Sequence, residues 1–412
     1  MPVPRAATLV LAVLLAGCGG GGEGGGGDSW LFPLWVPTDI AVADIDGDGR
    51  ADVLTLAQYA TSNTQLEGRL VLHRQQAGGT FAAGATVAVG RYPWRFAIAD
   101  VDGDGAADVV VADVDMDAVY LVRQEGASRG HFLAPVQLAL GMHPYDVAVG
   151  DFTGDGVPDL AVADSRRAAQ RLVLLPQDPA NRGSFLAPQD VALPGGSNAL
   201  AAADLDGDGR VDLAAGYVVS ASATDFDAHV ALLLQQPGGG LAPAQSLASA
   251  HALNLARLRI ADHDGDGVAD VLAYLTASDT SVVSELLAVR RPAGGAPEAY
   301  RTTLGGVDGT DDAAFGDFNA DGRLDAAVAG FYPEGSPSTV KSRLNVFLQA
   351  AGGTSALAST QSLPAPVSRL AAGDVDGDGR PDLVMLADET QVLLARQSAT
   401  APGTFETVQI LP

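Results

Sequence analysis

Cysteine, lysine and tryptophan are nearly missing from this chain, with one, one and three among 412 residues. The lone cysteine, Cys18, excludes an intrachain disulfide, so packing and bound metal must hold the fold. Lys341 is the sole lysine, and 24 Lys and Arg face 50 Asp and Glu, a net charge of −26. Nucleic acid binding needs a basic footprint, which this balance excludes. Aromatic residues make up 6% while glycine and alanine abound, which points to small, tightly layered strands. The scarcity of tryptophan also weighs against a lectin with a stacking ring at every one of many sugar sites.

Catalytic signatures are missing too. The six histidines (His73, His131, His143, His229, His251 and His263) show no metal-ligand pairing at short spacing. There is no Gly-x-Ser-x-Gly elbow and no phosphate loop. The chain therefore reads as a non-enzyme.

What is present is a loop. Asp44-Ile45-Asp46-Gly47-Asp48-Gly49-Arg50-Ala51-Asp52 recurs, with variation, at Asp100, Asp151, Asp204, Asp262, Asp317 and Asp374, at intervals of 51 to 58 residues. Seven recurrences at near-constant period define an architecture. About half of the 50 acidic side chains lie in these loops, so the acidity is concentrated rather than spread as a solvating coat. Calcium takes six to eight oxygens, and alternate carboxylates converge on one point when the backbone curls. Position 3 holds Asp46, Asp102, Thr153, Asp206, Asp264, Asn319 and Asp376. Position 5 holds Asp48, Asp104, Asp155, Asp208, Asp266, Asp321 and Asp378. Position 7 holds Arg50, Ala106, Val157, Arg210, Val268, Arg323 and Arg380, which share no side-chain chemistry and fit a ligand supplied by the backbone carbonyl. Position 9 returns to aspartate at Asp52, Asp108, Asp159, Asp212, Asp270, Asp325 and Asp382. Glycine at position 6 permits the curl. The expectation is up to seven Ca²⁺ ions, one per repeat. The third and sixth sites should be weaker, because Thr153 and Asn319 each remove a charge. An EF-hand is excluded, since position 12 (Thr55, Val111, Val162, Ala215, Ala273, Val328, Met385) is never acidic. His263 sits inside the fifth loop at a non-ligand position.

Between loops, four apolar runs of four to nine residues recur in order, bounded by Gly, Asp or Pro. In the first three repeats they cover residues 40–43, 52–56, 69–73 and 81–89, then 96–99, 108–111, 119–122 and 132–140, then 147–150, 159–163, 171–175 and 185–193. These are strand signatures. Four strands in each of seven repeats predict an all-β fold, a seven-bladed β-propeller over residues 30–412, with four antiparallel strands and one calcium loop per blade. The loops and their period resemble FG-GAP/VCBS repeats, the calcium-bearing blades of the integrin α-subunit propeller and of many bacterial surface proteins. The resemblance covers essentially all of residues 38–412 and implies the fold and the metal. It leaves function open, because this fold hosts adhesion modules, lectins and enzyme accessory domains alike.

The N-terminus reads as an address. Arg5 precedes the apolar run of residues 8–15, which is too short to span a bilayer. Leu15-Ala16-Gly17-Cys18 then resembles a bacterial lipobox. The resemblance implies a signal peptide over residues 1–17, a lipidated Cys18 and a glycine-rich tether over 18–29. The only membrane contact would be this lipid, in the bacterial cell envelope, at the outer membrane in a Gram-negative cell. An ordinary secretory signal is the alternative.

Propeller topology puts the connections between strands two and three, and between blades, on the face opposite the calcium loops. Tyr59, Arg91, Tyr92, Trp94, His143, Tyr145, Tyr217, Tyr274 and Tyr332 fall there by inference, joined by Arg166, Arg167, Lys341 and Arg343. Polar-tipped rings suit a protein or glycan ligand. They equally suit packing around the central channel. The expected function is a surface-anchored binding or adhesion module; the alternatives are an enzyme acting on surface polysaccharide and a scaffold subunit of an envelope complex.

Overall fold

A computed structural model describes residues 35–62, 65–164, 171–220, 226–251, 253–277, 285–290, 298–303, 312–334, 339–351, 354–387, 391–406 and 408–411. The signal and tether segments, Cys18, Arg166 and Arg167, and the side chains of Tyr332 and Lys341 lie outside what is described. The described residues form seven four-stranded antiparallel sheets, one two-stranded sheet (Gln124–Glu125 with Ser128–Phe132) and no helix. In the first blade Trp35–Ala43, Asp52–Ser62, Gln65–Gln76 and Thr80–Ala88 follow one another in both sequence and sheet order. The seventh blade uses Val367–Gly373, Asp382–Ala387, Gln391–Ala395 and Gln409–Ile410. Each blade is therefore built from one continuous stretch of chain. Trp35–Ala43 is the innermost strand of the first blade and not an extra strand of the last.

Each second strand packs against neighbours on both faces, which is why it is apolar throughout rather than alternating. Asp108–Asp113, Asp159–Asp164 and Asp382–Ala387 are buried at every residue. Seven apolar clusters result, one at each blade junction. Ile45, Leu54 and Leu72 meet Phe96, Val109 and Val122 between blades one and two. Ile40, Val53 and Phe81 meet Val375, Val384 and Leu394 between blades one and seven. That last cluster closes the ring and removes the exposed edge faces of an open stack.

Two expectations are corrected. The runs 132–140 and 185–193 do not form full-length fourth strands; the ladder is confined to Val136–Ala139 and Gln189–Ala192. Pro135 and Pro188 precede these ladders, and proline has no N–H to donate. The connections between strands two and three, expected as loops of the opposite face, are extended hairpin arms in three blades. In the first, fourth and sixth blades, pairing runs on through Tyr59↔Glu67, Tyr217↔His229 and Tyr332↔Lys341. Polar residues there had masked a continuing ladder.

The innermost strands place one residue of each blade in a common layer, five positions before the loop. Read around the ring, these are Asp39, Arg95, Asp146, Ala199, Arg257, Asp312 and Arg369. The charges alternate in sign without exception, and the uncharged Ala199 stands in the fourth place. Seven positions cannot alternate around a closed ring, so one neutral residue removes the like-charge neighbours that would otherwise be forced. All six charged members are buried. Each aspartate also accepts a backbone N–H from the next blade: Phe96 to Asp39 at 3.2 Å, Leu200 to Asp146 at 3.0 Å and Leu370 to Asp312 at 3.3 Å. Arg257 Nη1 spans to Asp39 at 2.5 Å and to Asp312 at 3.4 Å, while Arg369 Nε donates to the Thr38 carbonyl at 2.8 Å.

Candidate metal loops and ligand face

The loops fold around their first and last aspartates. In the first loop, Asp44 accepts the amides of Asp48 at 3.0 Å and Gly49 at 2.9 Å, and the position-6 amide makes the same contact in the other six loops. Position 6 lies at positive φ, +86° at Gly49, where glycine carries no steric cost. The sixth loop departs at position 4, where Ala320 is held at φ +58°. A Cβ in this region costs about 1–2 kcal/mol. Strain therefore adds to the missing charge at Asn319.

Position 9 is the buried anchor. Asp52 accepts the amides of Ile45 and Gln75, at 3.2 and 2.9 Å, and ties the loop's entry to the end of the third strand. Burial is the main influence pushing Asp52, Asp108, Asp270, Asp325 and Asp382 up to about 6, against the lowering effect of these backbone hydrogen bonds. Neighbouring loop carboxylates add to the rise.

Five loops bring three carboxylates within 4.8 Å of one another. In the first these are Asp44, Asp46 and Asp48. In the second, fourth, fifth and seventh they are positions 1, 3 and 9: Asp100, Asp102 and Asp108; Asp204, Asp206 and Asp212; Asp262, Asp264 and Asp270; Asp374, Asp376 and Asp382. Such groups could hold a hard cation, whose charge would offset their mutual repulsion. The third and sixth loops form no triad of this kind among the described residues, in keeping with Thr153 and Asn319. Position 5 is left out of four of the five triads. In the loops with arginine at position 7, the guanidinium pairs with that carboxylate: Arg50 with Asp48, Arg210 with Asp208, Arg323 with Asp321 and Arg380 with Asp378. Arginine at position 7 thus has a side-chain role in addition to the expected backbone one. His263 turns its ring to Gln349 at 2.9 Å, away from a ligand role.

A set of glutamines escaped the sequence reading. Gln124 Nε2 donates to the Ile45 carbonyl in the previous blade's loop at 2.9 Å, and Gln177 does the same to Val101 at 2.9 Å. Gln75, Gln235, Gln349 and Gln397 repeat the contact to the loop of the blade before, and Gln75 bridges from the first blade to Val375 in the seventh. The backbone N–H of each of these glutamines also donates to the position-9 aspartate of its own blade, as Gln235 does to Asp212 at 2.8 Å. These bridges couple the loops at six of the seven blade junctions. A glutamine at the end of six of the seven third strands was the available signal, but it sits 15 to 24 residues past position 9, and variable hairpins blur that spacing.

A pH response follows for the metal-free protein. The raised position-9 aspartates have folded values above the unfolded value of about 3.9, so folding favours their protonated form. That stability is fully present below pH 4 and lost as pH rises through about 6. Metal-free protein should melt roughly 5 °C or more higher at pH 5 than at pH 7.5 by scanning calorimetry. Equal melting temperatures at the two values would contradict this.

On the opposite face, the structure gathers five of the nine expected ligand residues beside blades two and three. Trp94 lies between Tyr92 (stacked, centroids 6.1 Å apart) and Tyr145 (tilted, 5.4 Å). Arg91 pairs with Asp115 at 3.0 Å and His143 with Asp117 at 3.4 Å at the rim. Trp94 itself is buried, whereas Tyr92 and Tyr145 are half-buried and Arg91 is exposed. Two of the remaining tyrosines correct the expectation. Tyr217 and Tyr274 are in second strands, 2% and 1% exposed, and offer no surface to a ligand; Tyr217 stacks on His229 at 4.9 Å. Tyr59 lies in the first blade's hairpin arm under the Arg69 guanidinium, 4.5 Å from the ring centroid. Tyr332 also lies in a strand. Burial thus removes Tyr217 and Tyr274 from the expected face.

Comparison with known proteins agrees with this architecture. Residues 100–162 and 317–385 match the model of the FG-GAP-like repeat, and residues 36–72 that of the FG-GAP repeat. No curated protein matches the sequence. A protein of known structure from Lactobacillus plantarum is similar over 88% of this chain and 96% of its own, at 15% identity and a TM-score of 0.52. The V. cholerae biofilm matrix protein Bap1 is similar over 90% of this chain and 88% of its own, at 11% identity and a TM-score of 0.43.

Proposed function

Because the chain is an FG-GAP repeat β-propeller, we propose that it is a calcium-stabilised binding module that presents one face to a protein or glycan at the cell surface. The carboxylate triads carry the metal part of this reading. Five triads supply converging oxygens, and the third and sixth loops would add two weaker sites. The ion would fix each loop and, through the glutamine bridges, its neighbour. The ligand part rests on the patch of Arg91, Tyr92, His143 and Tyr145 around the buried Trp94. Half-buried rings with polar tips, edged by charge, suit a sugar or an extended peptide. The lipobox-like sequence at Cys18 and the glycine tether support lipid anchoring in the bacterial envelope.

The test is a glycan array probed with the protein in calcium and then in EDTA, repeated with Arg91→Ala and Tyr145→Ala. A hit that both substitutions weaken supports a glycan ligand at this face. No hit from folded, calcium-loaded protein refutes the glycan reading; a crosslinked envelope partner at this face would then identify a protein ligand.

A further inference from the structure

The central channel holds a cation that the blade repeat does not call for. Three positions before each loop, the innermost strands carry Ala41, Ala97, Ala148, Ala201, Arg259, Ala314 and Ala371. Six blades place alanine in this layer and only the fifth places arginine. The layer beneath it is the alternating ring, whose three arginines and three aspartates already balance. Arg259 is therefore in excess by one positive charge, in a protein whose net charge is −26. Among the described residues its ion-pair partner is Asp312, at 3.6 Å, and Asp312 is shared with Arg257. Burial and the Arg257 charge press the Arg259 guanidinium down to about 10, as expected of a cation short of counter-charge. Among the described residues, the buried Arg95 has no hydrogen-bond acceptor for Nε or Nη1.

Above the ring, on the side of the loops, lies a cavity of about 320 Å³. Ile40, Phe96, Ile98, Ile260 and Phe315 are among the residues that line it, and Arg257 and Arg259 supply its charge. A cavity that combines apolar side chains with two guanidinium groups matches a ligand with a hydrocarbon body and an anionic head. One excess charge calls for a monoanion, and the planar fork of arginine matches a carboxylate in two parallel hydrogen bonds. We propose that the central channel binds a small organic monocarboxylate, with its head on Arg259 and its apolar body along the inner strands. This site is separate from the metal loops and from the aromatic face, and does not depend on either.

The test is calorimetric titration of the calcium-loaded protein with hexanoate and with benzoate, using hexanol as the uncharged control. Saturable one-to-one binding of a carboxylate but not of hexanol is expected. Arg259→Ala, which installs the residue of the other six blades, should weaken that binding about tenfold or more while leaving the melting transition intact. Arg259→Lys, which keeps the charge and loses the fork, should fall between. Failure of both carboxylates to bind the wild-type protein at millimolar concentration overturns the proposal. So does unchanged affinity in Arg259→Ala, which would place the anion at the metal loops instead.

Discussion

Asp39→Ala should destabilise the propeller by about 3–5 kcal/mol, the usual cost of stripping one partner from a buried ion pair. Asp39 is fully buried and meets Arg257 at 2.5 Å and Arg95 at 4.0 Å. It also accepts the amides of Ile40 and Phe96, at 3.0 and 3.2 Å. Burial alone would raise its pKa, but the arginine charges win and hold it below the usual carboxylate range. Its removal leaves two guanidinium groups facing each other across the channel and unfastens the inner strands of blades one and two. A fall in melting temperature of roughly 5–10 °C is expected. The double variant Asp39→Ala, Arg257→Leu should recover part of the loss, since it removes the stranded cation as well. If the single variant melts as the wild type does, the charged layer contributes nothing to ring closure.

Stripping calcium should have the larger effect. Sites with dissociation constants of about 10⁻⁴ to 10⁻³ M are usual for extracellular modules. With calcium at about 10 to 100 times the dissociation constant, each site adds about 1.4–2.7 kcal/mol by mass action. Five such sites acting on one cooperative ring add about 7–14 kcal/mol, enough to shift the melting temperature by about 10 °C or more. The effect should also depend on which loop is altered. Asp264→Ala, in a loop with a full carboxylate triad, should lower the calcium-dependent part of the shift more than Asn319→Ala in the sixth loop. A melt that is the same in calcium and in EDTA would remove the structural role assigned to the metal.

The loop Asp44 to Asp52 and its six recurrences were legible because their chemistry is local: carboxylates at alternate positions, a glycine at the turn, and a fixed order of short apolar runs. That information is enough to count blades and to name candidate ligand oxygens. It did not say which three carboxylates meet. Positions 1, 3 and 9 converge in four of the five triads, and in the second, fourth and seventh loops the position-9 aspartate is fixed by the amide at the end of its own third strand. Hairpin length was also hidden, since Tyr59, Tyr217 and Tyr332 sit in ladders that continue through polar residues.

Strand order, blade number and the acidic loops thus follow from the sequence alone, because each rests on contacts within one repeat. The alternating layer from Asp39 to Arg369, the glutamine bridges and the solitary Arg259 follow only from the closed ring. Asp39 and Arg257 are 218 residues apart in sequence and meet because seven blades turn their inner strands toward one axis. A two-residue strand period tells which side chains share a face of one sheet. It does not tell which other blade that face, or the channel edge beside it, will meet.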